Sequence, residues 1–546
     1  MKRLRQPSFR DLPQGWLNCP RFGQEIGFII PSKVPLSESY NNDVPCDKRY
    51  TFKQWLTNGR KKLGLVIDLT NTTRYYHPTT ELEQEGIDYV KIRCCGRDSV
   101  PDDLSVNKFI YEVNHFEEHN FSKKYVLVHC THGHNRTGFM IAHYLMRTRP
   151  MMRVTQALKM FSDVRPPGIY KPDYIDALYS FYHEVKPESF VCPPTPEWKR
   201  SEKVKNYDDD DALSYLEVQG NNQLYENVKK MSNDDILGAE IPLKQELSYK
   251  NFYIEMLNIK VKGGSMSFQG SHPVSLDREG FQLLRQRYYY ATWKADGTRY
   301  MMLLTRDGCY LIDRNFRFRR VQMRFPCWQD KSDYKVHHNT LLDGEMVVDT
   351  FMDGQRKWCQ LRRFLVYDLA AINGHSLAER PFSERWSILN KQVIKPRNDE
   401  KKITNHWYRY EMEPFGVQIK PFCLLSAVEK KLFKELIPNL SHETDEVMVV
   451  DHPASYCGKI IECCWDKEKR VWVSMRIRVD KSEPNGIMTA RSVIKSINDN
   501  ITVEVLLEEI KDIIRLPMYV ERIRMDIQEA ERLKHGNRKA LINVRF

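Results

Sequence analysis

The sequence lacks the features of a secreted, membrane-spanning or zinc-stabilised protein. Its 13 cysteines include no Cys-x-x-Cys pair, which argues against a structural zinc site, and their odd number argues against a complete disulfide framework. No run of about 18 apolar residues occurs, and the basic N-terminus has no apolar stretch behind it. We therefore expect a reducing intracellular compartment and predict neither a membrane span nor a signal peptide.

What the sequence does have is length and positive charge. Its 546 residues are enough for roughly two to four domains, each with its own core. The formal net charge of +12 favours anionic partners such as nucleic acid, nucleotides or phosphate, although an acidic protein fits as well. Because 72 acidic residues are mixed among the 84 basic ones, the excess is moderate.

Changes in composition divide the chain into five predicted segments. Apolar runs alternate with helical patterns in the first, and strand signals return after a polar stretch with four consecutive aspartates. In the fourth we predict a β-hairpin over 458–480 and a helix from Thr489 to about Ile514. The segments are 1–185 (α/β domain), 186–238 (linker), 239–450 (strand-rich second domain), 451–520 (a smaller β module) and 521–546 (charged tail).

The motif VHCTHGHNRTG at 128–138 places Cys130 at the end of an apolar strand and Arg136 six positions later, before a helical pattern. Such a loop directs backbone N–H groups at one point, which binds phosphate and lowers the pKa of a cysteine there. Arg136 can grip two phosphoryl oxygens while Cys130 attacks and becomes phosphocysteine. Thr137 can donate to the departing sulfur, and His129 orients the loop rather than acting as a base. No metal is needed.

A buried, inert cysteine is the alternative interpretation of Cys130. However, this motif, together with the stretches 67–76 and 165–182, resembles the cysteine-phosphatase superfamily and in particular its RNA 5′-triphosphatase branch. The resemblance implies cleavage of the β–γ bond of a 5′-triphosphate RNA end. A diphosphate leaves readily as an anion, so that an acid is not required.

Two aspartates are candidates if the phosphatase site does use an acid. Asp68 lies at a strand end within the resembling stretch, where it could serve as the acid or orient a loop. Asp98 lies on the loop GRDSVPDD, in a region where phosphatases often carry their acid, but we interpret it as a solvated loop charge.

A second motif, Lys294-x-Asp296-Gly297, is weak by itself, because Asp296 and Gly297 could be a simple turn after a strand. It gains weight from four further motifs that follow in order. Together they resemble the covalent nucleotidyltransferases, which comprise capping guanylyltransferases and polynucleotide ligases, over most of 240–515. The further motifs are IDRNF (312–316), LLDGEMVV (341–348), FLVYDLAAING (364–374) and MRIRVDK (475–481).

The resemblance implies roles for seven residues. Lys294, once deprotonated, attacks the α-phosphorus of GTP, expels pyrophosphate and holds GMP as a phosphoramidate, with Mg²⁺ or Mn²⁺ neutralising the phosphates. GTP rather than ATP is implied by similarity around 270–279. The remaining roles are contacts to ribose or phosphates (Arg299, Arg314), to ribose or a metal-bound water (Glu345), and to the outgoing phosphates (Arg476, Asp480, Lys481).

Five arginines cluster near the IDRNF motif. We interpret them as a solvated strand face, with an RNA-contacting role beside Phe316 and Phe318 as the alternative. The arginines are Arg314, Arg317, Arg319, Arg320 and Arg324.

The pattern breaks after position 441. Glu446 follows Asp445 where the guanylyltransferases have glycine, and no Leu-Lys-Trp-Lys motif precedes the final motif at Arg476. Too few residues lie between Asp445 and Arg476 for that motif and the opening strands of an OB-fold. We infer that a segment is absent, through an alternative transcript or a gene-model fusion, and expect an intact first activity and a weakened second one.

The resemblances together predict an α/β multidomain enzyme of mRNA 5′ capping. It would have a cysteine-phosphatase-like domain, then a nucleotidyltransferase α+β domain with a truncated OB-fold-like β module. Two alternatives stay open: a phosphatase acting on RNA or protein beside an inactive guanylyltransferase remnant, and a non-catalytic module that binds RNA or a polymerase tail. By family analogy we expect residence in the nucleus and docking to the phosphorylated tail of RNA polymerase II.

Overall fold

The computed structural model describes two folded domains and part of the chain that follows them. The described residues are 12–57, 61–95, 99–120, 123–149, 151–200, 230–259, 276–327, 335–354, 357–404, 406–442, 461–466, 471–477, 487–525 and 527–528.

A four-stranded parallel sheet with the spatial order β1-β4-β2-β3 forms the centre of the first domain. Alternate residues of its strands enter two different core clusters, Val126 and Val128 in one and Leu127 in the other, so both faces are covered. This explains the continuous apolar runs in the sequence. The strands are β1 (Ile29–Lys33), β2 (Leu63–Asp68), β3 (Asp88–Lys91) and β4 (Tyr125–Cys130).

Helices and loops cover both faces of this sheet. The larger core cluster contains Phe109, Ile141 and Phe161 from three of the helices, and the smaller one is built around Trp16 and Tyr50. The helices are α1 (Lys53–Thr57), α2 (Pro78–Glu81), α3 (Asp103–His119), α4 (Asn135–Thr148), α5 (Val154–Val164), α6 (Pro172–Phe181) and α7 (Glu197–Arg200), with 3₁₀ turns at Glu38–Tyr40 and Glu83–Glu85.

The second domain is built on an eight-stranded sheet. Its path is β14-β13-β12-β7-β8-β9-β5, antiparallel throughout, and β15 pairs in parallel with β13. Two short pairs, β10 with β11 and β16 with β6, lie outside it. The strands are β5 (Ala239–Glu240), β6 (Tyr290–Ala291), β7 (Thr298–Leu304), β8 (Cys309–Ile312), β9 (Phe318–Val321), β10 (Pro326–Cys327), β11 (Lys335–Val336), β12 (Thr340–Met352), β13 (Trp358–Ile372), β14 (His375–Ser376), β15 (Gly416–Ile419) and β16 (Cys423–Leu424).

The helices of the second domain pack beside this sheet. Two of them contain π-helical segments, at Leu389–Ile394 and Val428–Leu436. The α-helices are α8 (Leu243–Met256), α9 (Gly280–Gln286), α10 (Phe382–Ile388) and α11 (Lys395–Lys401), with 3₁₀ turns at Tyr410–Met412, Leu425–Ala427 and Ile437–Asn439. The predicted α/β character of both domains is confirmed.

The chain after the second domain differs in part from the prediction. The hairpin predicted over 458–480 is present as β17 (Ile461–Asp466) and β18 (Val471–Ile477). The single predicted helix is two, α12 (Ile487–Asp499) and α13 (Val503–Ile513), because Asn500 adopts a left-handed conformation and Thr502 caps α13. Ile510 and Ile513 of α13 join a core cluster of the second domain, so this helix belongs to that domain rather than to a separate β module.

Both described ends of the predicted linker pack against a domain. The backbone of Met231 donates to Gln360 at 2.8 Å, and the carbonyl of Asn233 accepts from the Thr298 hydroxyl at 2.6 Å. At the other end, the Trp198 ring lies against His132 and His134, which lie between β4 and α4. Within the described part of the chain, no helix combines the length and apolar character needed to cross a membrane.

Candidate active sites

The cysteine loop connects β4 to α4, as the motif predicts. Gly133 allows the tight turn: its φ is +72°, and a Cβ there would lie 2.2 Å from the carbonyl oxygen of Ser32. The Gly133 N–H donates a hydrogen bond to the Cys130 sulfur at 3.3 Å. The loop backbone is therefore folded around the sulfur.

The electrostatics of the loop favour a thiolate. Burial raises the pKa of Cys130, but the Arg136 guanidinium and hydrogen bonds from Thr137 and Gly133 outweigh it, so the pKa lies below its ordinary value. The buried Thr137 hydroxyl makes no hydrogen bond of ordinary geometry, yet it lies near enough to the sulfur to contribute. The expected nucleophile is thus activated by its own loop.

Arg136 is held in place from one side. Its Nη1 donates to the carbonyl oxygens of Leu69 at 3.2 Å and Cys94 at 3.0 Å, and its Nη2 donates to the Thr131 hydroxyl at 2.9 Å. The side chain is 8% exposed. A guanidinium fixed in this way loses little entropy when it binds a phosphoryl group.

Arg165 supports the loop from behind and was missed by the sequence analysis. It is 1% exposed and donates to the carbonyl oxygens of His132 at 2.9 Å and Gly133 at 3.3 Å. Arg165 also donates to the carbonyl oxygen of Pro20 at 2.8 Å. With the carbonyls held on this side, the loop amides can face the sulfur. Its position in the stretch 165–182 was the only signal.

The first part of the predicted linker also supports the loop. The Trp198 ring lies against His132 and His134, with ring centroids 5.4 and 5.6 Å apart. The Nε2 atom of His132 in turn bonds to the carbonyl oxygen of Gln14 at 2.8 Å. Chain segments before and after the phosphatase core therefore meet on one side of the loop.

His129 lies beneath the loop and is fully buried. Burial lowers its pKa to about 4 despite the nearby Asp68 carboxylate, which keeps the imidazole neutral at physiological pH. Its Nε2 atom forms a hydrogen bond with the Tyr76 hydroxyl at 2.7 Å. A neutral imidazole fixed by Tyr76 is compatible with the predicted orienting role, which stays a prediction.

Asp68 is buried and its oxygens accept four hydrogen bonds. The donors are the Thr70 N–H (2.8 Å) and hydroxyl (2.7 Å), the Tyr89 hydroxyl (3.0 Å) and the Lys91 ammonium (2.9 Å). Burial alone would raise the Asp68 pKa, but His129, Lys91 and the Thr70 amide lower it below its ordinary value. An ionised carboxylate saturated with donors orients the loop after β2 and has no proton to give. The second candidate acid, Asp98, lies outside the described residues.

Lys294 lies between β6 and β7 and is exposed, so that a nucleotide can reach it from solvent. Gly297 allows its loop to press on β12: a Cβ there would lie 2.4 Å from the Met346 carbonyl oxygen and 2.8 Å from Cγ of Glu345. This close approach gives the glycine of the motif a structural reason and brings Lys294 to the strand that carries Glu345.

Glu345 lies among cations at this site. Burial raises its pKa, opposed in order by Lys420, Arg314, Lys294 and Arg299. The charges of three predicted site residues, Arg314, Lys294 and Arg299, therefore act on the same carboxylate. A site with this many cations suits the triphosphate of a nucleotide.

Lys420 is a site residue that the sequence analysis missed. It is 5% exposed, and its Nζ lies 5.1 Å from the centre of the Trp293 ring. Burial lowers its pKa to about 8, Glu345 opposes that shift, and Lys294 adds to it. It follows β15, far from the other motifs in sequence, and only the pairing of β15 with β13 brings it to the site.

Arg299 is held by Asp343 rather than standing open to a ligand. Its Nε and Nη2 donate to the two carboxylate oxygens at 3.0 and 2.6 Å, and this pairing raises the Arg299 pKa although burial opposes it. Arg299 faces Glu345 across the antiparallel pair of β7 and β12. The bidentate pair therefore joins the two motif strands at the site.

The arginine cluster is only in part the solvated face that the sequence suggested, since Arg314 and Arg317 are exposed whereas two others are buried. Arg320 and Arg324 are 4% and 9% exposed, and Arg324 donates to Glu400 at 2.6 Å. Arg317 and Arg319 form ion pairs with acidic residues of neighbouring elements. That interpretation was wrong for the buried pair because other parts of the chain cover this side of the strand.

The last predicted motif can be located only in part. Arg476 lies in β18, paired with Glu462 of β17, but its side chain is not described. Asp480, Lys481, Asp445 and the divergent Glu446 fall outside the described residues.

The residues at the second site fit a divalent metal bound mainly by a nucleotide. Glu345 can supply one carboxylate oxygen or hold a metal-bound water, whereas Asp343 is engaged by Arg299. Mg²⁺ typically binds through one or two carboxylates, with substrate phosphates and water completing its shell. A cationic site with a single available carboxylate agrees with that pattern.

The two sites define the class of protein: a cysteine phosphatase joined to a covalent nucleotidyltransferase. The match to known families agrees. Residues 51–184 match the dual specificity phosphatase catalytic domain, and residues 231–459 match the mRNA capping enzyme catalytic domain.

Full-length relatives identify the family. The zebrafish (Danio rerio) mRNA-capping enzyme is 32% identical over 578 aligned residues, covering 91% of this chain and 93% of that protein. The Mus musculus mRNA-capping enzyme is 30% identical, covering 92% and 94%. The mRNA-capping enzyme subunit alpha of Schizosaccharomyces pombe is 28% identical and covers 44% of this chain and 80% of its own length. The chain belongs to the mRNA-capping enzyme family.

Proposed function

We propose that this chain removes the γ-phosphate from 5′-triphosphate RNA and then transfers GMP from GTP to the diphosphate end. The observation that carries the proposal is the presence of both nucleophiles in one chain: Cys130 in a loop folded around its sulfur, and Lys294 beside Glu345 and Lys420. The family resemblance of each domain supports the order of the two reactions.

In the first reaction, the Cys130 thiolate attacks the γ-phosphorus. A sulfur–phosphorus bond forms, and the bond to the β–γ bridging oxygen breaks, with its electron pair leaving on the diphosphate end. Arg136 holds the phosphoryl oxygens in line. Water then cleaves the phosphocysteine, which releases phosphate, and the Thr137 hydroxyl stabilises the returning thiolate.

Asp68 acts here as a positioning residue. A diphosphate anion needs no proton to leave, so a phosphatase of this substrate class can work without a carboxylic acid. The ionised, fully hydrogen-bonded state of Asp68 supports that assignment. His129 stays neutral and orients the loop from below.

In the second reaction, the Lys294 amine attacks the α-phosphorus of GTP and pyrophosphate leaves. The diphosphate RNA end then attacks the GMP phosphorus and the amine departs. Lys420 and Arg314 supply positive charge near the phosphates, and Glu345 contacts the ribose or a water of the metal. A bound Mg²⁺ or Mn²⁺ would neutralise phosphate charge during the attack. Arg476, Asp480 and Lys481 are assigned to the outgoing phosphates by family motif.

The strength of the second activity depends on the segment that we infer to be absent between Asp445 and Arg476. The alignment with the zebrafish relative spans 578 positions, more than the 546 residues of this chain, so positions of that protein have no counterpart here. In the guanylyltransferases the motif that is missing here supplies lysines that contact the α-phosphate, so its loss would remove transition-state stabilisation. If every full-length transcript encodes this join, the deletion is a property of the protein rather than of one transcript.

Two labelled substrates test the proposal. Release of phosphate from γ-labelled triphosphate RNA should persist in EDTA and vanish in Cys130→Ser, while Cys46→Ser, at an exposed cysteine, leaves it unchanged. Metal-dependent release would refute the thiolate mechanism. Labelling with α-labelled GTP should need a divalent metal and disappear in Lys294→Ala, with Lys430→Ala as the control at an exposed lysine.

The same assays separate the alternatives. Phosphate release without any GMP label would leave a phosphatase with an inactive guanylyltransferase remnant. A phosphotyrosine peptide that is hydrolysed faster than RNA would reassign the first domain to protein substrates. If the chain shows neither activity but still binds RNA, it is a non-catalytic binding module. The proposal extends to work in the nucleus and docking to the phosphorylated tail of RNA polymerase II, which binding of a tail peptide to the full chain would test.

A further inference from the structure

The two catalytic domains contact each other directly through residues outside both active sites. After α6 the backbone continues as a short antiparallel bridge between Glu184 and Tyr408 of the second domain. The Val185 N–H donates to the Trp407 carbonyl oxygen at 3.1 Å, and the Arg409 N–H donates to the His183 carbonyl oxygen at 2.7 Å. The end of one domain thus pairs as a strand with the other.

A second contact lies at the edge of the large sheet. The Asn107 side-chain amide on α3 donates to the Glu240 carbonyl oxygen of β5 at 2.7 Å. The Asn107 oxygen accepts from Arg147 at 2.8 Å, which fixes the orientation of the amide. Since β5 is the last strand of the sheet, α3 shields an edge that would otherwise be open to pairing with another chain.

Two aromatic rings, one from each domain, lie between arginines of both domains. Phe181 of the first domain has Arg147 of its own domain at 5.6 Å and Arg320 of the second at 5.5 Å. Trp407 of the second domain has Arg153 of the first domain and Arg324 of its own, each at 5.1 Å. Each ring therefore joins cations across the boundary.

Two of these cations are buried at the boundary between the domains. Arg147 and Arg320 are 5% and 4% exposed. Burial lowers the Arg147 pKa, Arg320 adds to that effect, and the Asp307 carboxylate of the second domain opposes it. Arg320 donates within its own domain to the Asp307 carbonyl oxygen and to Gln322, while the Phe181 ring and the Asp307 carboxylate add favourable contacts across the boundary.

From these contacts we infer that a docking surface built around Phe181 and Trp407 holds the triphosphatase and guanylyltransferase domains in one fixed arrangement, independently of residues 201–229. The partner of this surface on each domain is the other domain of the same chain. The contacts surround a cavity of about 640 Å³ lined by both domains, including Glu184, Arg306 and His338. The cohesion between the domains comes from the contacts around this cavity.

Cleavage of the intact chain tests the inference. A site for a sequence-specific protease is inserted between residues 201 and 229, and the full-length protein is cut and passed over a sizing column at micromolar concentration. The two halves should elute together, as the uncut chain does. Separate elution of two folded halves would overturn the inference. Neither result depends on catalysis, so the outcome is distinct from that of the capping assays.

Substitutions locate the surface. In the cut protein, Trp407→Ala should raise the dissociation constant of the halves at least tenfold, and Phe181→Ala should do the same, because each loses contacts to two cations. Trp358→Ala, at a tryptophan that is 67% exposed in the same domain, should leave it unchanged. Circular dichroism of each variant checks folding. Halves that stay together equally well in all three variants would contradict the assignment of these rings.

Discussion

Trp293, the residue before the nucleophile Lys294, donates a hydrogen bond from its indole N–H to Nε2 of His442 at 3.0 Å. Since an indole nitrogen can only donate, Nε2 of His442 is the acceptor and the imidazole proton lies on Nδ1. This N–H donates a hydrogen bond to the Asp349 carboxylate at 2.8 Å. The Asp349 carboxylate also pairs with Arg363 at 2.8 Å. A chain of polar contacts from β13 through β12 therefore fixes the backbone beside Lys294.

We predict that His442→Ala lowers the rate of lysyl-GMP formation about tenfold, because it leaves the buried indole N–H without an acceptor. The measurement is the rate of covalent labelling with α-labelled GTP. Phosphate release from triphosphate RNA is the internal control and should not change. Trp293→Phe removes the donor, so adding His442→Ala to it should cost little more; two fully additive losses would contradict the coupling.

We predict an alkaline limit to GMP transfer set by Lys420. Its pKa is lowered to about 8, so its charge is present below that pH and is lost above it. The rate of lysyl-GMP formation should therefore fall as the pH rises beyond about 8. In Lys420→Met this rate should be low at every pH. Lys420→Arg keeps the positive charge, so the pH at which the rate falls should move upward. If this pH does not change, a group other than Lys420 sets the alkaline limit.

We predict that Thr137→Val raises the pKa of Cys130 towards its ordinary value. The variant loses a hydroxyl that helps stabilise the thiolate, so alkylation by iodoacetamide near pH 6.5 should slow by roughly tenfold. The rate of alkylation against pH gives the midpoint directly. Thr148→Val on the same helix is the matched control, since its hydroxyl bonds to the Tyr144 carbonyl oxygen. Equal midpoints in the two variants would exclude this role.

We predict that Asp68 contributes stability in its ionised state. Its pKa is lower in the folded than in the unfolded chain, so this stability is full above about pH 4 and is lost as the pH falls through the folded value. Asp68→Asn should lower the free energy of unfolding at pH 7 by about 2–4 kcal/mol and flatten its acid dependence. Urea melts at several pH values measure this, with the exposed Asp163→Asn as control.

The same variant separates a positioning role from acid catalysis. If Asp68 only positions the loop, Asp68→Asn slows substrates with good and poor leaving groups by the same factor. A loss confined to poor leaving groups would show that Asp68 donates a proton after all.

The cysteine site could be predicted from the sequence because its parts are local. Cys130, Arg136 and Thr137 lie within eight positions, and a strand before them and a helix after them suffice to build the loop. The supporting contacts were not visible: Arg165 reaches the loop from another segment, and its role depends on three backbone carbonyls that only the fold brings together.

The lysine site was predicted through a series of remote motifs, and residues outside those motifs were missed. Lys420 and His442 reach Lys294 only because β15 pairs with β13 and residue 442 returns beside β12. The error at Arg320 and Arg324 has a related cause. A run of charged residues in and after a strand predicts a solvent-exposed face. The sequence does not show that another domain or a buried glutamate will cover these side chains.

Because the Phe181 and Trp407 rings join the two domains, a change in one domain can shorten the lifetime of the other in the cell. A missense change at Phe181 lies in the triphosphatase, yet it uncovers Arg320 on a strand of the guanylyltransferase. Chains that open more often at this boundary are exposed to proteases, and their abundance falls. Such an allele would deplete both steps of capping together, although no catalytic atom has changed.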